Sequence, residues 1–238
     1  MGLKPRPTKK NVGLPLSDLA RAFEPGATFT TEDGVYKVVL VEAGTLRINS
    51  GELWAGDPFV IMNQLPFADK IAPGDYLVQL SVADMKFPHG QGNDQQRVAC
   101  AKLILADGQV TNWVNATRPG QRLSSLKSGQ AFGYGVDAGT GCFMDASVLR
   151  HLEALDKAEH DKDNWEGWLM PRVQPRLLPK GKSWGHAAEV VDTSSGGNVV
   201  CFTSGWGDGV YSSFWGLSAK RERLCLVTDF AVLPAASP

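Results

Sequence analysis

The sequence has no stretch approaching the roughly 18 consecutive apolar residues that a membrane-crossing helix requires, so no membrane partner is expected. Cysteine is scarce. Cys100, Cys142, Cys201 and Cys225 stand far apart, and no C-x-x-C pair exists to build a structural zinc site. They read as small hydrophobes of a reduced chain, which suits a cytoplasmic protein. An excess of one charge is also missing. The 24 Lys and Arg against 25 Asp and Glu give a formal net charge of −1, without the basic face that general nucleic-acid binding needs. The opening MGLKPRPTKK is basic, but residues 11–23 behind it are too polar for a signal-peptide core. Position six also lacks the Ser or Thr of a myristoylation signal.

What is present is punctuation. The 26 glycines and 14 prolines break the chain too often for long helices. Between them lie short segments rich in Val, Ile, Leu, Thr, Tyr and Trp, predicting strands over 36–42, 45–48, 59–62, 74–82, 97–105, 110–115, 133–137, 198–203, 210–217 and 224–232. In 74–82, Tyr76, Val78, Leu80 and Val82 share one face while Asp75, Gln79 and Ser81 share the other, as in a half-buried antiparallel strand. Ser17 is positioned to cap a short helix over 18–23. The main helix is expected from Asp145, an N-cap carboxylate, to about residue 160, with Val148, Leu149, Leu152 and Leu155 as its apolar stripe. Residues 165–197 read as irregular connection that includes a mobile lid. The fold expected is mainly β, antiparallel sheets packed as a sandwich with one main helix; an α+β arrangement is the alternative. Residues 1–11 are expected to be a flexible basic tail (Lys4, Arg6, Lys9, Lys10) and residues 12–235 a single β-rich domain.

Three glycine–aspartate segments stand out: Gly51 to Pro58 with Gly56-Asp57-Pro58, Gly133 to Asp145, and Ser204 to Tyr211 followed by Trp215-Gly216 and Asp229-Phe230. Turn chemistry explains such pairs one at a time, since Gly takes positive φ cheaply and Asp accepts from nearby amides. On that reading Gly207-Asp208-Gly209 is a hairpin turn. Converging carboxylates would instead offer oxygen ligands to a hard divalent cation, with Asp137, Asp208 and Asp229 as metal candidates. They would also offer an acid–base pair, with Asp137, Asp145 and Asp208 as catalytic candidates. No cofactor is predicted beyond that divalent ion. Gly139-Thr-Gly141 before a helix lacks the Lys-Ser/Thr of a P-loop, and Thr203-Ser204-Gly205 is not a nucleophile elbow. Cys142, close to a helix start, is a candidate nucleophile with His186 or His89 as base and Asp192 or Asp137 as orienter. His151 and His160 stand nine residues apart and share no metal. Trp184, Trp206 and Trp215 each neighbour glycine; with Asp208 and Tyr211 they are the candidate binding residues, for stacking or as a protein hot spot.

The order of these segments resembles the bacterial domain-of-unknown-function family 4241. The likeness rests on Gly56-Asp57-Pro58, Pro73-Gly74-Asp75-Tyr76, Arg97-Val98-Ala99, Val136-Asp137-Ala138-Gly139, Phe143-Met144-Asp145, Gly207-Asp208-Gly209-x-Tyr211 and Asp229-Phe230, spread over residues 51–231. It implies one contiguous domain and carries no activity. Two functions are therefore expected to compete. One is a non-catalytic binding module that meets another bacterial protein, as an immunity protein masks a toxin. The other is a divalent-metal-dependent or acid–base hydrolase built on the aspartates.

Overall fold

The computed structural model describes residues 13–61, 64–88 and 94–235. These form two antiparallel sheets and two helices, a mainly β fold. The larger sheet runs β1 (Thr28–Thr30), β2 (Val35–Ile48), β4 (Gly74–Lys86), β5 (Gln95–Ile104), β12 (Arg223–Asp229) and β11 (Gly209–Leu217). β6 (Asn112–Asn115) and β7 (Gly133–Val136) lie along the far side of β11, against its last and first residues respectively. The smaller sheet runs β3 (Leu53–Gly56), β8 (Thr140–Asp145), β10 (Gly197–Thr203) and β9 (His186–Asp192).

Alternation decides the layers. In β10, Val200 and Phe202 join the core between the sheets, while Val199 and Cys201 face away from it. The same split holds in β8, with Phe143 inward and Cys142 and Met144 outward, and in β3, with Leu53 and Ala55 inward and Trp54 outward. The outward set is covered by α1 (Ala146–His160), through Val148, Leu149 and Leu152, and by α2 (Met170–Leu177), through Val173 and Leu177. The smaller sheet is thus a middle layer, buried on both faces.

β2 joins two segments that read separately in sequence. Gly44, at φ +136°, absorbs an extra residue where the pairing with β4 shifts between Glu42 and Gly44, a bulge that lets one long strand bend. Asp145 caps α1 as expected, its side chain accepting the Ser147 amide at 2.7 Å.

Other expectations are corrected. Residues 59–61 form no strand; Asp57 accepts the Phe59 amide and starts a turn there, and Met62 lies outside the described residues. Residues 18–23 are turns, and Ser17 is not their cap: its hydroxyl donates to Asp229 at 2.6 Å. The stretch 165–197 is not irregular throughout, because it holds α2, packed on the middle layer, and β9, an edge strand of that layer. α2 makes a second helix where one main helix was expected. The basic tail 1–11 and His89 lie outside the described residues.

Candidate functional site

The Gly/Asp corners are the points where the chain changes sheet. Residues 137–139 carry it from β7 in the larger sheet to β8 in the smaller, and residues 204–208 carry it from β10 back to β11. Gly207-Asp208-Gly209 is therefore a crossing and not a hairpin turn. The two crossings lie side by side. The Gly139 amide donates to Asp208 Oδ1 at 2.9 Å, and the Ser204 amide donates to the Gly139 carbonyl at 3.0 Å. Asp57, fully buried beyond β3, accepts the amides of Asp137 (2.9 Å) and Ala138 (2.7 Å) and binds the third corner to the other two.

These bonds also say what the carboxylates do. Asp57 and Asp208 hold backbone amides, while Asp137 contributes its own amide and keeps an exposed side chain. Asp145 ends β8, five residues from Thr140, so at about 3.3 Å per residue it sits on the order of 17 Å from this rim. There it accepts from the Asn49 and Ser50 amides and from both Ser50 and Ser147 hydroxyls. Asp229 accepts from the Leu16, Ser17 and Ala231 amides. The structure brings Asp137 and Asp208 together and leaves Asp145 and Asp229 elsewhere. Among the described residues, no group of three or more His, Cys, Asp or Glu is arranged to hold a metal ion.

The Cys142 thiol is fully buried in the helix-facing core. Burial pushes its pKa well up, with neighbouring Cys201 and Asp57 adding to the effect, which is the reverse of an activated nucleophile. Its register partner is Cys201. His186 opens β9 beside Trp184, with ring centroids 6.5 Å apart. Burial lowers its pKa, the Ala43 carbonyl opposes that, and Lys182 and Arg176 lower it further. Asp192 belongs to the far end of β9, where Ser194 and Ser195 occupy its carboxylate. Trp215 is buried at 2% exposure in the inter-sheet core, edge-on to Phe67, and is no surface ligand.

What the rim displays is aromatic and cationic. Trp206 projects from the 204–208 crossing at 53% exposure. Its turn is fixed by Tyr211, whose hydroxyl donates to the Gly207 carbonyl at 2.8 Å while its ring stacks edge-on against Phe230. Gly205, at φ +47°, makes the turn feasible, since a Cβ there would meet Phe230 Cβ at 2.8 Å. The guanidinium of Arg97 on β5 lies 5.4 Å from the Trp206 ring. It donates to Gln95 Oε1 at 3.0 Å and has no carboxylate partner among the described residues. Beside this pair opens a cleft of about 380 Å³ lined by Phe59, Gly139, Met170 and Leu177. On its other side Trp206 borders a groove with Tyr36, Phe87, Glu32 and Asp33. Trp184 is tied to the same edge, its indole donating to Gln96 Oε1 at 3.0 Å. Arg97 drew no attention in the sequence beyond opening a strand, because its ring partner lies more than a hundred residues away.

Fold and rim together define a two-sheet β protein whose sheet crossings are braced by aspartate and carry an exposed Trp–Arg pair. The chain belongs to the family DUF4241, described as a protein of unknown function, whose model matches residues 46–228. No curated protein and no solved structure matches it. Among the described residues, no helix is long and apolar enough to cross a membrane.

Proposed function

We propose that this protein is a non-catalytic binding module that docks another protein on the Trp206 rim, in the manner of an immunity-type masking partner. The observation that carries this reading is the exposed Trp206 ring, on a turn pinned by Tyr211 and flanked by the Arg97 guanidinium, which has no carboxylate partner among the described residues. Tryptophan and arginine beside a preformed cleft are the residue types that dominate interface energetics. The four cysteines are buried thiols, which suits work in a reducing cytoplasm. The rival, a hydrolase on clustered aspartates, keeps only Asp137 and Asp208 at one rim, and Asp208 is engaged by an amide.

The test is capture from extracts of the organism that encodes the chain, with wild-type protein and W206A side by side. A partner retained by wild type and lost by W206A is expected, with affinity lowered by about 2 kcal/mol or more once the purified pair is titrated. No difference between the two overturns the reading. Calorimetric titration with Mg²⁺, Ca²⁺ and Zn²⁺ is expected to give no specific heat; saturable heat abolished by D137N and D208N favours the hydrolase.

A further inference from the structure

The outer face of the larger sheet is covered only in part. Residues 14–27 cross it, pinned by the bonds of Ser17 to Asp229, and bury Leu19 and Ala22 against the strands. Between this cover, the 105–111 loop and the sheet lies a second cleft, of about 420 Å³, lined by Leu19, Phe23, Val110, Trp113 and Leu224 with Lys102 among them. Lys102 stands on β5, in register with Gln79 on β4 and Val227 on β12. Its ammonium lies 4.0 Å from the Phe23 ring centroid.

This lysine is half-buried, and it has neither a carboxylate within ion-pair range nor a hydrogen-bond acceptor among the described residues. Burial also lowers its pKa, as expected for an ammonium whose water has been partly replaced by ring and methyl groups. The Phe23 ring face compensates the lost water only in part, and a supplied counter-charge would offset the remaining cost. The Trp113 indole N–H, on the same wall, likewise has no acceptor among the described residues. Leu19, Phe23, Val110 and Leu224 supply the apolar part of the lining. Glu24 and Asp107 also border the cleft, both exposed, and they disfavour a doubly charged head such as a phosphate monoester.

We propose that this cleft binds a single-headed amphipathic anion, a medium-chain carboxylate, with its head on Lys102 Nζ and its tail over Phe23, Trp113 and Leu224. The site is separate from the Trp206 rim and does not depend on the reading given for it.

Calorimetry on the full chain with decanoate, decan-1-ol and decyltrimethylammonium tests this directly. One decanoate per chain is expected, bound at least about tenfold more tightly than decanol, since a charge-assisted bond contributes on that order; the ammonium is expected to bind more weakly than decanol. Octanoate is expected to bind about tenfold more weakly than decanoate, following the loss of two buried methylenes. K102M is expected to reduce decanoate to the affinity of decanol and leave decanol unchanged, while K102R retains decanoate binding. Equal binding of decanoate and decanol by the wild-type chain, or decanoate binding unchanged in K102M, overturns the proposal. Should K102M fail to fold, the wild-type charge series with K102R decides alone.

Discussion

The buried Asp145 side chain accepts from five donors, the amides of Asn49, Ser50 and Ser147 and the hydroxyls of Ser50 and Ser147. Its carboxylate caps α1 through Ser147 and, from the other side, holds the Asn49–Ser50 link that follows β2. Burial pushes its pKa up, but the hydroxyl and amide of Ser147, with those of Ser50, outweigh burial and leave it below the ordinary value. The unfolded chain therefore takes up this proton first on acidification. The stability it supplies is present above the unfolded value of about 4 and is lost as pH falls through the folded one. D145N keeps the shape, removes the charge and turns an amide toward amide donors, so at neutral pH it is expected to cost about 2–4 kcal/mol in urea unfolding. The gap to wild type is expected to narrow as pH drops below about 4. A gap that stays constant from neutral pH to pH about 3 would show that the charge is not what matters. The residue was legible in the sequence as a helix cap. Its second allegiance was not, because Asn49 and Ser50 lie almost a hundred positions away.

At the scale of elements, the sequence reveals what alternates and hides what does not. β4 was readable because Tyr76, Val78, Leu80 and Val82 lie on one face while Asp75 is exposed and Gln79 partly exposed on the other; Ser81, expected on that polar face, is buried instead. β8, Thr140–Asp145, has every residue buried, so no alternation survives and its glycine made it look like a loop. β3 is equally buried and only four residues long. α2 is masked by proline, one in its first turn, where a missing amide costs nothing, and Pro175 inside it. The corners were legible as Gly/Asp turns; that they meet at one rim, as crossings between sheets, required knowing that β8 and β10 exist as partners. β3 also sets a sharp steric condition. A Cβ on Gly56 would stand 2.1 Å from the Trp54 ring, which is buried at 1% exposure and anchored by its indole N–H to the Gln64 carbonyl at 2.8 Å. G56A is expected to lower stability by about 1–3 kcal/mol through this overpacking, read as an earlier urea midpoint with altered tryptophan emission. An unchanged midpoint would mean that the ring moves aside freely.

Across the whole molecule, three layers make unequal demands. The larger sheet has one face in the core and the other only partly covered, whereas the smaller sheet is enclosed by the larger sheet on one side and by α1 and α2 on the other. Within it β8 and β10 are paired along both edges, to β3 and each other and to β9. Exchange of their amides requires opening both hydrophobic clusters at once, while β1 and the β6–β7 margin lie at sheet edges and can open locally. Native-state hydrogen exchange is expected to find the slowest amides in Cys142, Phe143, Val200 and Cys201, at rates set by global unfolding, with β1 exchanging faster. If the amides of β4 and β5 outlast those of β8 and β10, the smaller sheet is not the mechanical centre. The arrangement also links the rim to stability. The Trp206 crossing leaves the end of β10 and enters β11 at the margin of both sheets. A partner docked there binds the folded chain and not the unfolded one, so it is expected to slow exchange in residues 204–208. By the factor of one plus the ratio of free partner to Kd, it is also expected to slow the β8 and β10 amides that exchange only on global unfolding. Protection confined to residues 204–208 would instead mean that the partner stays bound while the enclosed sheet opens.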